Sequence, residues 1–156
     1  MRTCSYCGEQ VDEAVAKCPR CWGHSREVLL RHLRDPDPDV RAQAASELVF
    51  LVPDEEIVLA LAAVLRDPVV AVRQAAGLEL FICGAEAGPA TEALVAALDD
   101  SDLKVRRLAA ASLSMIGPPA REALPKLASM RTVPDEKLRA WVIEAEARIR
   151  AGSAPT

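Results

Sequence analysis

The stretch DPVVAVRQAAGLEL, Asp67 to Leu80, decides the fold because the chain holds it in four versions. DPDPDVRAQAASELV (Asp35–Val49) comes before it and DSDLKVRRLAAASLSMI (Asp100–Ile116) after it. VPDEKLRAWVIEAEARI (Val133–Ile149) is a weaker fourth copy that lacks the leading aspartate. The arginines Arg41, Arg73, Arg106 and Arg139 stand 32, 33 and 33 residues apart. A fixed period of roughly 20–50 residues marks a stacked-repeat architecture. The alanine-rich run after each arginine predicts a helix. A second helix sits in the same register in each copy: Leu29, Leu61, Leu94 and Leu127 align, followed four residues later by Leu33, Leu65, Leu98 and Arg131. That spacing puts both side chains on one helical face. Pro53, Gly84 with Gly88-Pro89, Gly117-Pro118-Pro119 and Pro134 separate the helices. An aspartate before a proline predicts a helix start, with the carboxylate as cap and proline in the first turn.

Two helices per unit, a leading aspartate, the Val-Arg pair and the Ala-Ala-x-x-Leu helix together resemble HEAT repeats, closest to the short form named after phycobilisome lyases. The resemblance spans residues 25–150. It implies an all-α fold, a short right-handed α-solenoid in which each helix pair stacks on its neighbours. Composition agrees: 51% of residues are hydrophobic but only 3% aromatic, so alanine and leucine carry the core. No apolar run approaches bilayer length, Leu59–Leu65 being among the longest, and no membrane association is expected.

The first 24 residues are different. Cys4-x2-Cys7 and Cys18-x2-Cys21, ten residues apart, can place four thiolates around one Zn²⁺. With four thiolates the coordination sphere is closed, so the ion is expected to fold the segment and not to activate water. CSYCGEQVDEAVAKCPRCWG also resembles the short zinc-ribbon modules at the ends of many bacterial proteins. It has the Cys-x2-Cys-Gly and Cys-Pro-x-Cys knuckles, with Trp22 where many ribbons carry glycine. The expected organisation is a zinc ribbon at 1–24, the solenoid at 25–150 and a disordered tail at 151–156. The helix at Ser25–Arg34 aligns with the second helix of a repeat whose first helix is missing. The ribbon is therefore expected to cap the stack, with Tyr6 or Trp22 available to pack on that helix.

Formal net charge is −4, and a zinc tetrathiolate takes it to about −6. Residues 1–34 hold six Lys/Arg and four Asp/Glu, while residues 35–156 hold thirteen and nineteen. An acidic body repels phosphate, which argues against a nucleic-acid partner. With no apolar signal region behind the first charge, and thiols at metal spacing, a cytoplasmic location is expected.

The arginine series is expected to form an intramolecular ladder with Asp35, Asp67 and Asp100. Cys83, without a basic neighbour, reads as a structural thiol. His24 is placed to hydrogen-bond a ligand sulfur, and His32 to pack at a boundary. Asp54-Glu55-Glu56 and Asp99-Asp100-Ser101-Asp102 read as helix caps, and Glu144, Glu146, Arg148 and Arg150 as the solvent face of the last helix. No histidine stands beside a candidate nucleophile, so no enzyme is expected.

The leading functional expectation is a non-enzymatic scaffold or adaptor for a protein partner. The second helices would present Leu59, Ala62, Ala63, Glu92, Val95, Ala96, Ala128 and Ser129, with Leu59, Ala63, Glu92, Val95 and Ala96 as the central contacts. Two alternatives stand beside it. One is nucleic-acid binding through the ribbon by Arg2, Lys17, Arg20 and Arg26, with Tyr6 or Trp22 stacking on a base. The other is a lyase-like or chaperone factor, which the repeat subfamily suggests.

Overall fold

The computed structural model describes residues 1–4, 9–15, 17–19 and 25–152. The readings that involve Tyr6, Cys7, Arg20, Cys21, Trp22, His24 and the tail at 153–156 lie outside the described residues. A short antiparallel hairpin opens the chain, β1 (Arg2–Thr3) pairing with β2 (Gln10–Val11). Helices follow: α1 (Arg26–His32), α2 (Pro38–Glu47), α3 (Glu55–Val64), α4 (Val70–Cys83), α5 (Thr91–Ala97), α6 (Leu103–Ile116), α7 (Leu124–Ser129) and α8 (Glu136–Ala151).

Helix starts are set by aspartates, though not always the expected ones. Asp37, Asp54, Asp102 and Asp135 cap α2, α3, α6 and α8, each accepting a backbone N–H of the first turn. Asp37-Pro38 fits the Asp-Pro reading, but Asp67-Pro68 does not, because Val69 is the residue at the α4 cap position. The leading aspartates Asp35, Asp67 and Asp100 stand two residues earlier and accept the N–H of Asp37, Val69 and Asp102. This small turn leaves one face of the Asp67 and Asp100 carboxylates for a second duty.

That duty is the ladder. Arg41 grips Asp67 with two parallel bonds, Nε–Oδ2 2.7 Å and Nη2–Oδ1 3.0 Å, while Nη1 donates to the Asp35 carbonyl at 2.7 Å. Arg73 repeats this one unit on, with Asp100 at 2.8 and 2.9 Å and the Asp67 carbonyl at 2.9 Å. Each arginine therefore closes its own turn and clamps the next. Val133 breaks the series. Arg106 still donates to the Asp100 carbonyl at 2.7 Å, but its neighbour Arg107 takes over the cross-repeat pairing, to Asp135 at 2.9 and 2.6 Å. Gln74, the residue equivalent to Arg107, bonds Asp102 at 2.9 Å.

The first helices of each pair, α2, α4, α6 and α8, pack successively against one another. Ala44, Ala45, Ala76, Ala109, Ala110 and Ala145 are buried along this layer, so small side chains permit the close approach. At Gly77 a Cβ would come within 3.3 Å of the Leu108 Cβ. Leu29, Leu61, Leu94 and Leu127 are fully buried between the layers, each contributing about 2–3 kcal/mol of transfer free energy. Phe81 and Trp141 meet edge to face at 6.1 Å and tie α4 to α8.

Arg131, which replaces the aligned leucine, reaches Glu146 on α8 through two bonds of 2.6 and 2.9 Å. Glu146 is accordingly only 4% exposed, which corrects its assignment to the solvent face. Arg150 also contacts it, at 3.4 Å. Two guanidiniums satisfy a carboxylate that would otherwise be costly to bury.

Val70–Ala97 is long and apolar enough to cross a membrane by length and composition, with mean hydropathy 1.2. To that extent it corrects the expectation drawn from uninterrupted apolar runs. It is not one rod, because Gly84, at φ 61° and ψ −127°, ends α4, and a 3-10 segment leads into α5. Gly117 ends α6 in the same way, at φ 69° and ψ −136°. Open space surrounds both glycines, so the demand is conformational and not steric. Gly117→Ala is expected to cost about 2 kcal/mol in chemical denaturation, while Gly88→Ala, at an equally open site without positive φ, stays within about 0.5 kcal/mol of the parent.

Candidate interaction groove and cysteine cluster

The second helices α1, α3, α5 and α7 do not press together as the first helices do. Hollows therefore open between them. One, an open trough of about 1280 Å³, lies between α1 and α3 and is floored by Leu30, Leu59, Ala60 and Ala63. A smaller hollow of about 360 Å³ follows between α3 and α5, lined by Arg66, Ala93, Ala96 and Asp99. Leu59 is 48% exposed, and Ala63, Glu92, Ala96, Ala128 and Ser129 are exposed with it. Val95 is half-buried. Ala62 is buried and does not belong to this surface, since it faces the core beside Leu61.

Charged pairs rim the trough. Arg26 bonds Asp54 at 2.9 Å and Glu56 at 2.5 Å, bridging α1 to the start of α3. The Ile57 N–H and Arg26 together hold the Asp54 carboxyl below the ordinary range. This pairing was missed from sequence, although its span of 28 residues matches the 26 and 27 of the ladder pairs. Arg26 is thereby engaged within the protein, and Arg2 donates to the Val15 carbonyl at 2.7 Å. Arg2 and Arg26, both considered for phosphate, are thus engaged within the protein. His32 is half-buried at the trough's edge, as a boundary residue should be.

At the N-terminus Cys4 and Cys18 are 3% and 0% exposed and share a small apolar cluster with Val11. The Cys4 N–H donates to the Glu9 carbonyl at 2.8 Å. Cys4 and Cys18, fourteen residues apart, are thus buried at the same place. Cys7 and Cys21 lie outside the described residues, and among the described residues no group of three metal-binding side chains stands together. Arg31 on α1 donates to the Glu13 carbonyl at 2.8 Å, tying the N-terminal segment to the first helix.

Cys83, half-buried on α4, is a poor nucleophile: burial and the nearby Glu79 push its thiol up.

HEAT repeats match at residues 82–147, and a HEAT repeat at residues 26–54. The chain is a HEAT-repeat protein. Solved structures agree on the fold. An engineered protein superposes with TM-score 0.67 at 23% identity, over 81% of this chain and 62% of its own. A designed armadillo repeat protein in complex with the peptide (KR)4 gives 0.66 at 18%, over 78% and 63%. The complex of CpcE and CpcF of phycocyanin lyase from Nostoc sp. gives 0.65 at 24%, over 94% and 60%. The chain thus spans about three fifths of these three structures. No curated protein matches it.

Proposed function

We propose that the protein is a non-enzymatic adaptor that holds a segment of a partner protein along its second-helix face. One observation carries the reading: the open trough between α1 and α3, floored by the half-exposed Leu59 with Ala60 and Ala63 and rimmed by paired charges. An apolar floor supplies binding free energy, while rim charges that already have partners orient a ligand without gripping phosphate. Glu92, Val95 and Ala96 continue the surface onto α5. The designed armadillo neighbour, in complex with a peptide, is a precedent for a stack of this shape.

The reading extends to the N-terminal segment. Cys4, Cys7, Cys18 and Cys21 would hold one structural Zn²⁺, which cross-links two turns too short to form a core of their own. The joint burial of Cys4 and Cys18 supports this donor set, and the Arg31–Glu13 contact supports a cap docked on α1.

The groove is tested with the intact chain as bait in native lysate, alongside Leu59→Glu and Ala96→Glu. At least one specific partner should fall about tenfold in recovery with each variant, as expected when a buried apolar contact is replaced by a charge. Both variants should keep the parental thermal midpoint, because both positions are exposed. An unchanged partner profile would move the interaction off this face.

A further inference from the structure

Where the first repeat meets the second, Leu48, Leu51, Ile57, Leu61 and Ile82 wall a small cavity of about 60 Å³, and Glu79 of α4 lines it. Glu79 is 5% exposed. Among the described residues no hydrogen bond or ion pair reaches its carboxyl. The only other ionisable group in the cavity wall is the Cys83 thiol, one helical turn along; α3 and the Leu48–Pro53 connection contribute only apolar side chains. The equivalent position is Glu47 in α2, Ser112 in α6 and Ala145 in α8, so the fold accepts an acid, a hydroxyl or a methyl here; Glu47 is only half-buried and accepts from Gln43 at 2.8 Å, whereas Glu79 is buried. The surface around the cavity is apolar as well, with Val49, Phe50, Val52 and Ile82 all exposed, Phe50 at 66% and Val52 at 86%.

A carboxyl held in an apolar wall without a partner is disfavoured in its charged form. Here it is combined with an exposed apolar patch of the kind that marks interaction sites. We propose that this pocket docks a lysine of a partner protein, its ammonium against Glu79 and its apolar neighbours on Val49, Phe50, Val52 and Ile82. Charge complementarity selects a cation, and the apolar wall selects among cations. The remaining wall is aliphatic, which suits a compact ammonium carried on a flexible apolar stem better than a planar guanidinium with five donors to satisfy. Burial pushes the Glu79 carboxyl up to about 7, so an arriving ammonium captures a group already poised to ionise at neutral pH. None of the residues lining this pocket lines the α1–α3 trough. The two surfaces therefore stand or fall separately.

The test is selection of random displayed peptides on the immobilised full-length chain at about pH 8, above the Glu79 titration. Recovered peptides should carry a lysine among apolar residues. Each should bind Glu79→Gln at least about tenfold more weakly, and the same loss should follow replacement of the peptide's lysine by norleucine. Glu79→Met serves as a second variant should the glutamine fail to fold, and it should show the same loss. Peptides without lysine, equal retention by the Glu79 variants, or no enrichment would each overturn the proposal. So would sedimentation showing a dimer of the wild-type chain that Glu79→Gln dissociates, since the occupant would then be a second copy.

Discussion

Cys4→Ser or Cys18→Ser is expected to abolish an otherwise stoichiometric zinc and to unfold the N-terminal segment. Structural zinc in such sites contributes on the order of 10 kcal/mol to local folding, and a serine hydroxyl does not ionise to replace a thiolate. Apart from the β1–β2 pairing, the described part of this segment has little of its own: Val11 is the only apolar residue buried with the two cysteines. Elemental analysis of the purified chain should give one zinc per protein for the parent and none for either variant. The damage should also spread in a graded way. Arg31 holds the Glu13 carbonyl, so loss of the segment frees α1 first. Stability in a solenoid is a sum of local and nearest-neighbour terms, so the effect decays along the stack. Hydrogen exchange after chelation should rise most at Val28–Leu33, less at Val40–Leu51 and hardly at Ala109–Ile116. A metal-free parent would remove the ribbon. A zinc-loaded parent whose exchange at Val28–Leu33 ignores chelation would make the ribbon a separate head and not a cap.

The repeat was legible because its signature residues do mechanical work in every copy. Arg41, Arg73, Arg106 and Arg139 each donate to a backbone carbonyl of their own turn, and that shared task keeps them in register. Leu29, Leu61, Leu94 and Leu127 align because all four are buried between the layers. Less legible were features that depend on which partner lies across the stack. Glu146 reads as a surface residue of a charged last helix until Arg131, fifteen residues earlier, folds onto it. Glu79, inside Leu-Glu-Leu, looks like the polar side of an amphipathic helix, yet the Leu48–Pro53 connection covers it. The groove was half legible. Small and apolar residues at aligned positions pointed to the second helices, but only packing could separate buried Ala62 from exposed Ala63.

Asp100→Ala should destabilise the stack by about 3 kcal/mol, because it leaves the Arg73 guanidinium desolvated and unpaired. The pair is well shielded, with side chains 12% and 10% exposed, so water cannot readily replace the lost carboxylate. Asp100 also accepts the Asp102 N–H, and that turn starts α6. The lesion falls between the second and third repeats, so unfolding should broaden into two steps instead of only shifting. Replacing both partners, Arg73→Met with Asp100→Leu, should recover much of the loss, since the cost comes mainly from the stranded charge. Acid should reproduce the effect in the parent. Burial disfavours the charged form of Asp67 and Asp100, but hydrogen bonds from Arg41 and Arg73 outweigh it and hold both carboxyls below the ordinary range. The Arg107 bonds and the Leu138 N–H lower Asp135 from 3.8 to about 2. A carboxyl depressed in the folded state adds stability above its unfolded pKa and loses it as pH falls through the folded one. The parent should therefore lose stability between about pH 4 and pH 2. Asp100→Ala, with one such carboxyl fewer, should show a shallower slope across the same window. If Asp100→Ala unfolds within about 0.5 kcal/mol of the parent and with the same acid slope, the ladder is surface decoration. The repeats would then be held by their alanine and leucine layers alone.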